Sequence, residues 1–144
     1  MTDSTASLVP ELEVTDTPTS LRFYTQVLGF AVVYDRPEEG FAYLRLGTAE
    51  LMLDQYSLGR TFDTSDAPMT RPFGRGVNLQ IRVADIAPIL ANLAAANTPL
   101  HLLVEDRWYR KGTTEVGNRQ FIVADPDGYL LRFYQDLGER PLQA

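Results

Sequence analysis

The chain has 144 residues, with 19 Asp and Glu against 13 Lys and Arg, one histidine and no cysteine. Without cysteine it forms no disulfide, no cysteine-based zinc site and no thiol nucleophile, and one imidazole is too few for the usual histidine-rich metal site. A net charge of −6 disfavours a general nucleic-acid binder and suits a protein that takes a cationic ligand.

The sequence shows no targeting or membrane-spanning segment. Residues 1–7 are small and polar and lack the basic start of a signal peptide. No apolar run approaches the roughly 18 residues that a membrane span needs. We therefore expect a cytoplasmic protein with no membrane partner.

The first half of the chain predicts a strand, a helix and three more strands. Apolar and polar residues alternate over 8–16, which is typical of a half-buried strand. Asp16-Thr17-Pro18 is typical of a helix start, and Gly29 is the expected stop. Three short stretches separated by turn residues predict the further strands, at 30–35, 41–46 and 50–56.

After a turn-rich linker at 57–75, the same order returns. Val83-Ala84-Asp85 repeats Val14-Thr15-Asp16 at the end of an alternating stretch, and a helix is predicted from Asp85 to Asn97. Strands are predicted at 100–105, 120–124 and 129–135, with a turn at Asp125-Pro126-Asp127-Gly128. The polar stretch at 108–117 has no core periodicity and is interpreted as a loop insertion in the second copy.

The repeat predicts one pseudo-symmetric α+β domain over residues 1–144, because each copy is too small to bury its own sheet face. Module one spans about 8–56, the linker about 57–75 and module two about 76–137. The polar strand faces should line a shared cavity, since the apolar faces are needed to cover the helices.

The residues also resemble a known family, the vicinal oxygen chelate superfamily of glyoxalases, extradiol dioxygenases, fosfomycin-resistance enzymes and bleomycin-resistance proteins. The resemblance covers about 8–137 and rests on Val14-x-Asp16, Phe23-Tyr24-x-x-Val27-Leu28-Gly29-Phe30 and Asp125-Pro126-Asp127-Gly128-Tyr129. Leu51-Met52-Leu53-Asp54 and Asn118-Arg119-Gln120-Phe121 are most similar to the bleomycin-resistance branch. The resemblance implies two βαβββ modules with curved mixed sheets that form a cleft, and a homodimer with its clefts at the interface.

Metal-dependent members of the superfamily hold their ion with four residues, usually His, Gln or Glu. The matching positions here are Val9, Met52, Asn78 and Arg132. These side chains do not form a divalent-metal site, and an arginine cation repels the ion. His101 lies on a strand that supplies no ligand. We therefore expect neither a metal nor another cofactor.

The candidate ligand-binding residues come from the polar strand faces, from aromatic positions matching the bleomycin-resistance branch, and from the polar insertion. They are Glu11, Tyr34, Phe41, Met52, Asp54, Asn78, Gln80, Trp108, Tyr109 and Arg132. The plainer interpretations are a solvated sheet face for the charged residues, a core position for Phe41, and a partner-subunit contact for Trp108. Binders of this branch tend to carry tryptophans where Gln80 and Gly117 stand, and Trp108 is a candidate replacement for one of them.

The missing metal ligands and the acidic strand faces favour binding without catalysis. The first hypothesis is a metal-free sequestering protein that holds a cationic, planar or glycopeptide drug such as bleomycin. The second is a lyase or isomerase of the same superfamily acting on a small oxygenated metabolite, with Glu11 or Asp54 as general base and Arg132 as oxyanion partner. A relative with an unrelated small-molecule ligand is the third.

Overall fold

The computed structural model describes residues 6–143, which form two compact units. Unit 1 comprises the chain up to Phe73 together with Asp125–Gly128, and unit 2 comprises Gly74–Ala124 and the chain from Tyr129 onward. Each unit holds one four-stranded mixed sheet and one α-helix, as the repeat predicts. Within the described residues, no helix is long and apolar enough to cross a membrane.

Unit 1 contains the first copy of the repeat. Its elements are β1 (Glu11–Val14), α1 (Thr17–Arg22), β2 (Ala31–Arg36), β3 (Phe41–Leu46) and β4 (Ala49–Gln55). The sheet order is β1-β4-β3-β2, with β1 parallel to β4 and the other pairs antiparallel. The buried face carries Leu12, Val14, Ala42, Leu44, Leu51 and Leu53. The predicted strand alternation is thus confirmed, because Glu11 and Glu13 fall on the opposite face.

Helix α1 begins where the sequence predicts and changes form before it ends. The Asp16 carboxylate accepts a hydrogen bond from the backbone N–H of Thr19 at 3.0 Å, which caps the first turn. The helix then continues as a π-helical turn over Phe23–Val27, and Gly29 follows it at φ +90°. The wider turn is a feature that spacing alone does not reveal.

Unit 2 repeats the topology with longer strands. It contains β5 (Asn78–Arg82), α2 (Ala87–Ala95), β6 (Leu102–Lys111), β7 (Thr114–Ala124) and β8 (Leu130–Pro141), in the sheet order β5-β8-β7-β6. Its core includes Phe121 and Phe133, whose rings stack with centroids 5.6 Å apart. Ile89 and Leu93 of α2 are also buried.

The interpretation of residues 108–117 as a loop insertion is wrong. These residues form the end of β6, a turn at Gly112 and the start of β7, so the insertion is an extended hairpin. Polar register pairs such as Arg110 with Glu115 and Lys111 with Thr114 make up part of this segment, and an ion pair between Arg119 and Asp106 at 2.8 Å lies beside it. A polar ribbon of this kind has no core periodicity, which is why the pattern suggested a loop. Strand β8 likewise continues beyond its predicted end.

The predicted turn at 125–128 is present, and its two carboxylates are buried inside unit 1. Asp127 accepts hydrogen bonds from the backbone N–H of Thr15 at 3.0 Å and from its hydroxyl at 2.7 Å. Asp125 accepts one from the Tyr24 hydroxyl at 2.8 Å. The turn therefore completes unit 1, although it lies between two strands of unit 2 in the chain.

Candidate functional site

The polar face of the unit 1 sheet gathers acidic and aromatic side chains into two cross-strand rows. In one row Glu11 is paired with Met52, which is paired with Tyr43 and then Tyr34. In the other row the register runs Glu13, Asp54, Phe41 and Arg36. Alternation along each strand places both rows on one face. Five predicted site residues are thereby brought together: Glu11, Tyr34, Phe41, Met52 and Asp54.

Three carboxylates of this face form a cluster. Glu11, Glu13 and Asp54 each place an oxygen within 4.8 Å of the others. Glu13 and Asp54 are buried, with 7% and 6% of their surface exposed, whereas Glu11 is exposed. Like charges this close oppose one another's ionisation.

The cluster raises the pKa values of its members. Burial is the main cause of a Glu13 pKa of about 7, and the negative charges of Asp54 and Glu11 add to it while the Phe62 N–H opposes it. The pKa values of Glu11 and Asp54 are also raised, mainly by burial, and the nearby Arg36 cation opposes both shifts. Near neutral pH, the face can therefore exchange a proton.

Aromatic rings stand beside the carboxylates. Tyr34 and Tyr43 stack with centroids 5.2 Å apart and planes 17° from parallel, and Tyr34 lies 5.8 Å from Phe41. Phe41 is largely buried, and its side chain also lines a cavity of about 150 Å³. That cavity is lined by Glu11, Arg36, Glu39, Phe41, Asp54, Arg60 and Phe62.

Part of the linker borders this cavity. The backbone N–H of Phe62 donates to a Glu13 oxygen at 3.4 Å, and the Arg60 guanidinium lies 4.9 Å from the centre of the Phe62 ring. Sequence reasoning placed Glu13 on the polar face that lines the cavity without selecting it as a ligand-binding residue, and it missed Arg36 and both linker residues. The hairpin register would have placed Arg36 beside Phe41, but no periodic pattern marks the linker.

The polar face of unit 2 has amide, phenol and guanidinium groups in place of the acid cluster. Gln80 is the register partner of Arg132, and Asn78 lies two residues earlier on the same face of β5. Gln120, which is 1% exposed, donates from Nε2 to Glu105 at 2.8 Å and to the Tyr109 hydroxyl at 2.7 Å. Sequence reasoning did not select Gln120, whose burial depends on the hairpin.

Two polar atoms on this face are buried without a hydrogen-bond partner in the described part of the chain. They are Oε1 of Gln120 and Nε of Arg132. The amide nitrogen of Gln120 already donates to Glu105 and to Tyr109, which leaves its amide oxygen as the open acceptor. The face thus offers one acceptor and one donor.

Trp108 lies on the opposite face of β6 from Tyr109, since neighbouring residues of a strand alternate. It is paired in register with Gly117, and a Cβ built on that glycine would meet the indole at 2.8 Å. The Arg140 guanidinium lies 4.0 Å from the centre of the Trp108 ring. The two aromatic residues expected from the insertion therefore do not share one surface.

The four positions that the family resemblance matches to metal ligands do not fit a metal ion. Met52 offers a thioether and Arg132 a guanidinium, whose Nε is a buried donor without an acceptor in the described chain. Glu11 follows Val9, which precedes β1, by two residues, and Asp54 follows Met52 by two residues in β4, or roughly 6–7 Å along an extended chain. We derive no step through a metal.

Comparison with known proteins agrees with this architecture. A family model described as the Glyoxalase/Bleomycin resistance protein/Dioxygenase superfamily matches residues 8–133. A bleomycin resistance protein of Geobacillus stearothermophilus is 28% identical over 139 residues, covering 90% of this chain and 96% of the relative. A Staphylococcus aureus protein of the same name, from strain MRSA252, gives the same values.

Solved structures share the fold. TioX from Micromonospora sp. ML1 has a TM-score of 0.70 at 21% identity and covers 92% of this chain and 99% of its own. A lactoylglutathione lyase from Agrobacterium tumefaciens has a TM-score of 0.55 at 18% identity and covers 91% and 95%. The predicted α+β architecture is confirmed.

Proposed function

The chain belongs to the glyoxalase/bleomycin resistance/dioxygenase superfamily, and from that premise we propose that it is a binding protein that sequesters a cationic small molecule of the bleomycin type. The proposal includes a homodimer whose clefts lie at the subunit interface and a cytoplasmic location. In this proposal the protein binds the ligand without converting it into a product. Relatives named bleomycin resistance protein support this choice within the superfamily.

The observation that carries the proposal is the acidic and aromatic face of unit 1. Carboxylates of Glu11, Glu13 and Asp54 within 4.8 Å of one another attract a cation, and the neighbouring rings offer a flat surface to a planar group. A cavity of about 150 Å³ is smaller than the usual pocket for a whole drug, so it would hold the ligand's cationic head. The rest of the ligand would lie outside this cavity.

A second candidate function is supported by the pKa of Glu13. A carboxyl with a pKa of about 7 beside a cavity has the basicity that suits a general base in a lyase or isomerase. In such an enzyme Glu13, rather than Glu11 or Asp54, would be the general base. Turnover of a small oxygenated metabolite, or stoichiometric zinc, nickel, manganese or iron in the purified protein, would favour this function over sequestration.

Calorimetric titration of metal-free bleomycin into the purified protein tests the first function. We expect saturable binding at micromolar protein that weakens as salt is raised, because screening reduces the attraction between the drug and the acidic face. Asp54→Asn should weaken binding about tenfold, whereas Asp66→Asn, which removes the same charge from an exposed linker position, should leave it within about twofold. Absence of saturable binding by the wild-type protein would refute sequestration of this drug.

A further inference from the structure

One cation already occupies the aromatic surface of unit 1. The Arg36 guanidinium lies 4.0 Å from the centre of the Phe41 ring and 6.0 Å from that of Tyr34. Its Nε is ion-paired with Glu39, and both residues line the cavity that Glu11 and Asp54 share. A planar cation of the chain itself therefore makes contacts of the kind that the face offers to a ligand.

Arg36 is held on the ring by contacts that a competing ligand can replace. The Arg36 side chain is 45% exposed and the Glu39 side chain is 50% exposed. Ion pairs that are this exposed contribute little free energy to the folded state. Among the described strands, β2 is an edge strand that pairs with β3 alone, so the side chain borders open solvent along that edge. Moving the guanidinium off Phe41 requires rotation of one side chain and no change of the sheet.

The size and charge of the cavity indicate what would take its place. A volume of about 150 Å³ is comparable to that of a cavity that takes one benzene ring. Around it stand Glu11, Glu39 and Asp54, against the two cations Arg36 and Arg60. Removing Arg36 from this set leaves a flat aromatic wall under a clear excess of negative charge.

We propose that Arg36 is a resident cation that occupies the Phe41 ring in the free protein, and that a ligand carrying an amidinium or guanidinium on a flat body displaces it. Arg36 is then a specificity residue, because a ligand must match its planar cation to replace it. The inference rests on the proposed function and names the chemical class of the group that the site accepts.

The alternative role for Arg36 is an anchor for an anionic ligand group. The two roles predict opposite effects of its removal. A competitor that is removed leaves the ring free and raises the affinity for a cation, whereas an anchor that is removed lowers the affinity for an anion.

Calorimetric or NMR titration with benzamidine, and separately with benzoate, distinguishes these roles. We expect Arg36→Gln to bind benzamidine about three- to tenfold more tightly than the wild type, with Arg36→Lys between them because an ammonium stacks less well than a guanidinium. Arg75→Gln makes the same charge change at an exposed site in unit 2 and should shift the affinity less than twofold.

Three results would overturn the inference: equal or weaker benzamidine binding by Arg36→Gln, no binding of benzamidine by any variant, or benzoate binding that Arg36→Gln abolishes. Matching thermal melting curves for the variants show that each is folded. The bleomycin titration tests the proposed drug and does not test the role of Arg36. Benzamidine binding that follows the expected order, without bleomycin binding, refutes the proposed drug and leaves the role of Arg36 intact.

Discussion

The two units share one topology, yet their polar faces differ in chemistry. Glu11 is paired with Met52 between β1 and β4, and Gln80 is paired with Arg132 at the corresponding place between β5 and β8. Unit 1 thus presents acids and stacked rings, while unit 2 presents amides and a guanidinium. The repeat dictates where side chains stand, and the residue at each place decides whether the face attracts a cation or hydrogen-bonds a neutral group.

The β-turns that join the last two strands of each repeat should differ most in their effect on stability. Asp127 is 1% exposed and accepts bonds from Thr15 and Arg71, whereas Thr48 in the corresponding turn of the first repeat is exposed. We expect Asp127→Ala to lower the free energy of unfolding by about 3 kcal/mol, because it removes the buried carboxylate that accepts from the Thr15 N–H and hydroxyl and from the Arg71 guanidinium. Thr48→Ala should change it by less than about 0.5 kcal/mol. Urea denaturation of both variants measures the contrast, and equal losses would contradict it.

The contrast between the faces predicts a large difference in ligand affinity. Combining Glu11→Gln with Asp54→Asn should weaken bleomycin binding about 30- to 100-fold, since two carboxylates of the cluster lose their charge. Gln80→Ala in unit 2 should weaken it less than about fivefold, because it removes one neutral hydrogen-bonding group. Titration calorimetry at one salt concentration compares the two. A larger loss from Gln80→Ala would assign the cation to unit 2.

The raised pKa of Glu13 makes the stability of unit 1 depend on pH. Between about pH 4.5 and pH 7 the folded protein holds a proton on Glu13 that the unfolded chain releases, so the free energy of unfolding falls as the pH rises through this window. Replacement by Gln removes this contribution, which we expect to be about 2 kcal/mol. Urea denaturation at pH 5 and pH 8 should show a smaller difference for Glu13→Gln than for wild type. Asp66→Asn should retain the wild-type difference.

The Glu13 carboxyl should also make the affinity for a cationic ligand increase with pH. With a pKa of about 7, the Glu13 carboxyl is ionised in about a tenth of molecules at pH 6 and in about nine tenths at pH 8. If the cation binds the ionised form, its affinity rises by up to about tenfold across this range, and binding releases a proton. Burial mainly sustains the raised pKa of Glu13, Asp54, Glu11 and Asp63 add to it, and the Phe62 N–H opposes it. Calorimetry in buffers of different ionisation enthalpy counts the released protons, and Glu13→Gln should show no such rise.

Much of the fold follows from local patterns in the sequence. The alternation at β1 and β5, the Asp16 cap and the Gly29 stop all correspond to observed features, because each depends on residues a few positions apart. The hairpin over β6 and β7 escaped prediction because its cross-strand pairs are polar, as between Arg119 of β7 and Asp106 of β6.

The site was only partly predictable for a related reason. Strand alternation identifies Glu11 and Asp54 as members of one face, but it does not show that Glu13 is buried under a linker residue 49 positions away. The ring contacts of Arg36 likewise depend on the β2–β3 register, which shifts at a bulge between Val32 and Tyr34. Such contacts are set by tertiary packing, which sequence periodicity does not encode.

The buried turn at Asp125–Gly128 also constrains the order of assembly during synthesis. A ribosome that has released the first 73 residues has made every strand of the unit 1 sheet, but not the carboxylates that accept from Thr15 and Tyr24. Unit 1 therefore reaches its final hydrogen bonding only after Gly128 has been translated, when most of the second repeat already exists. A nascent chain arrested before this turn should leave the Thr15 N–H and the Tyr24 hydroxyl without these acceptors in a partly folded unit, where proteases and chaperones compete with completion of the fold.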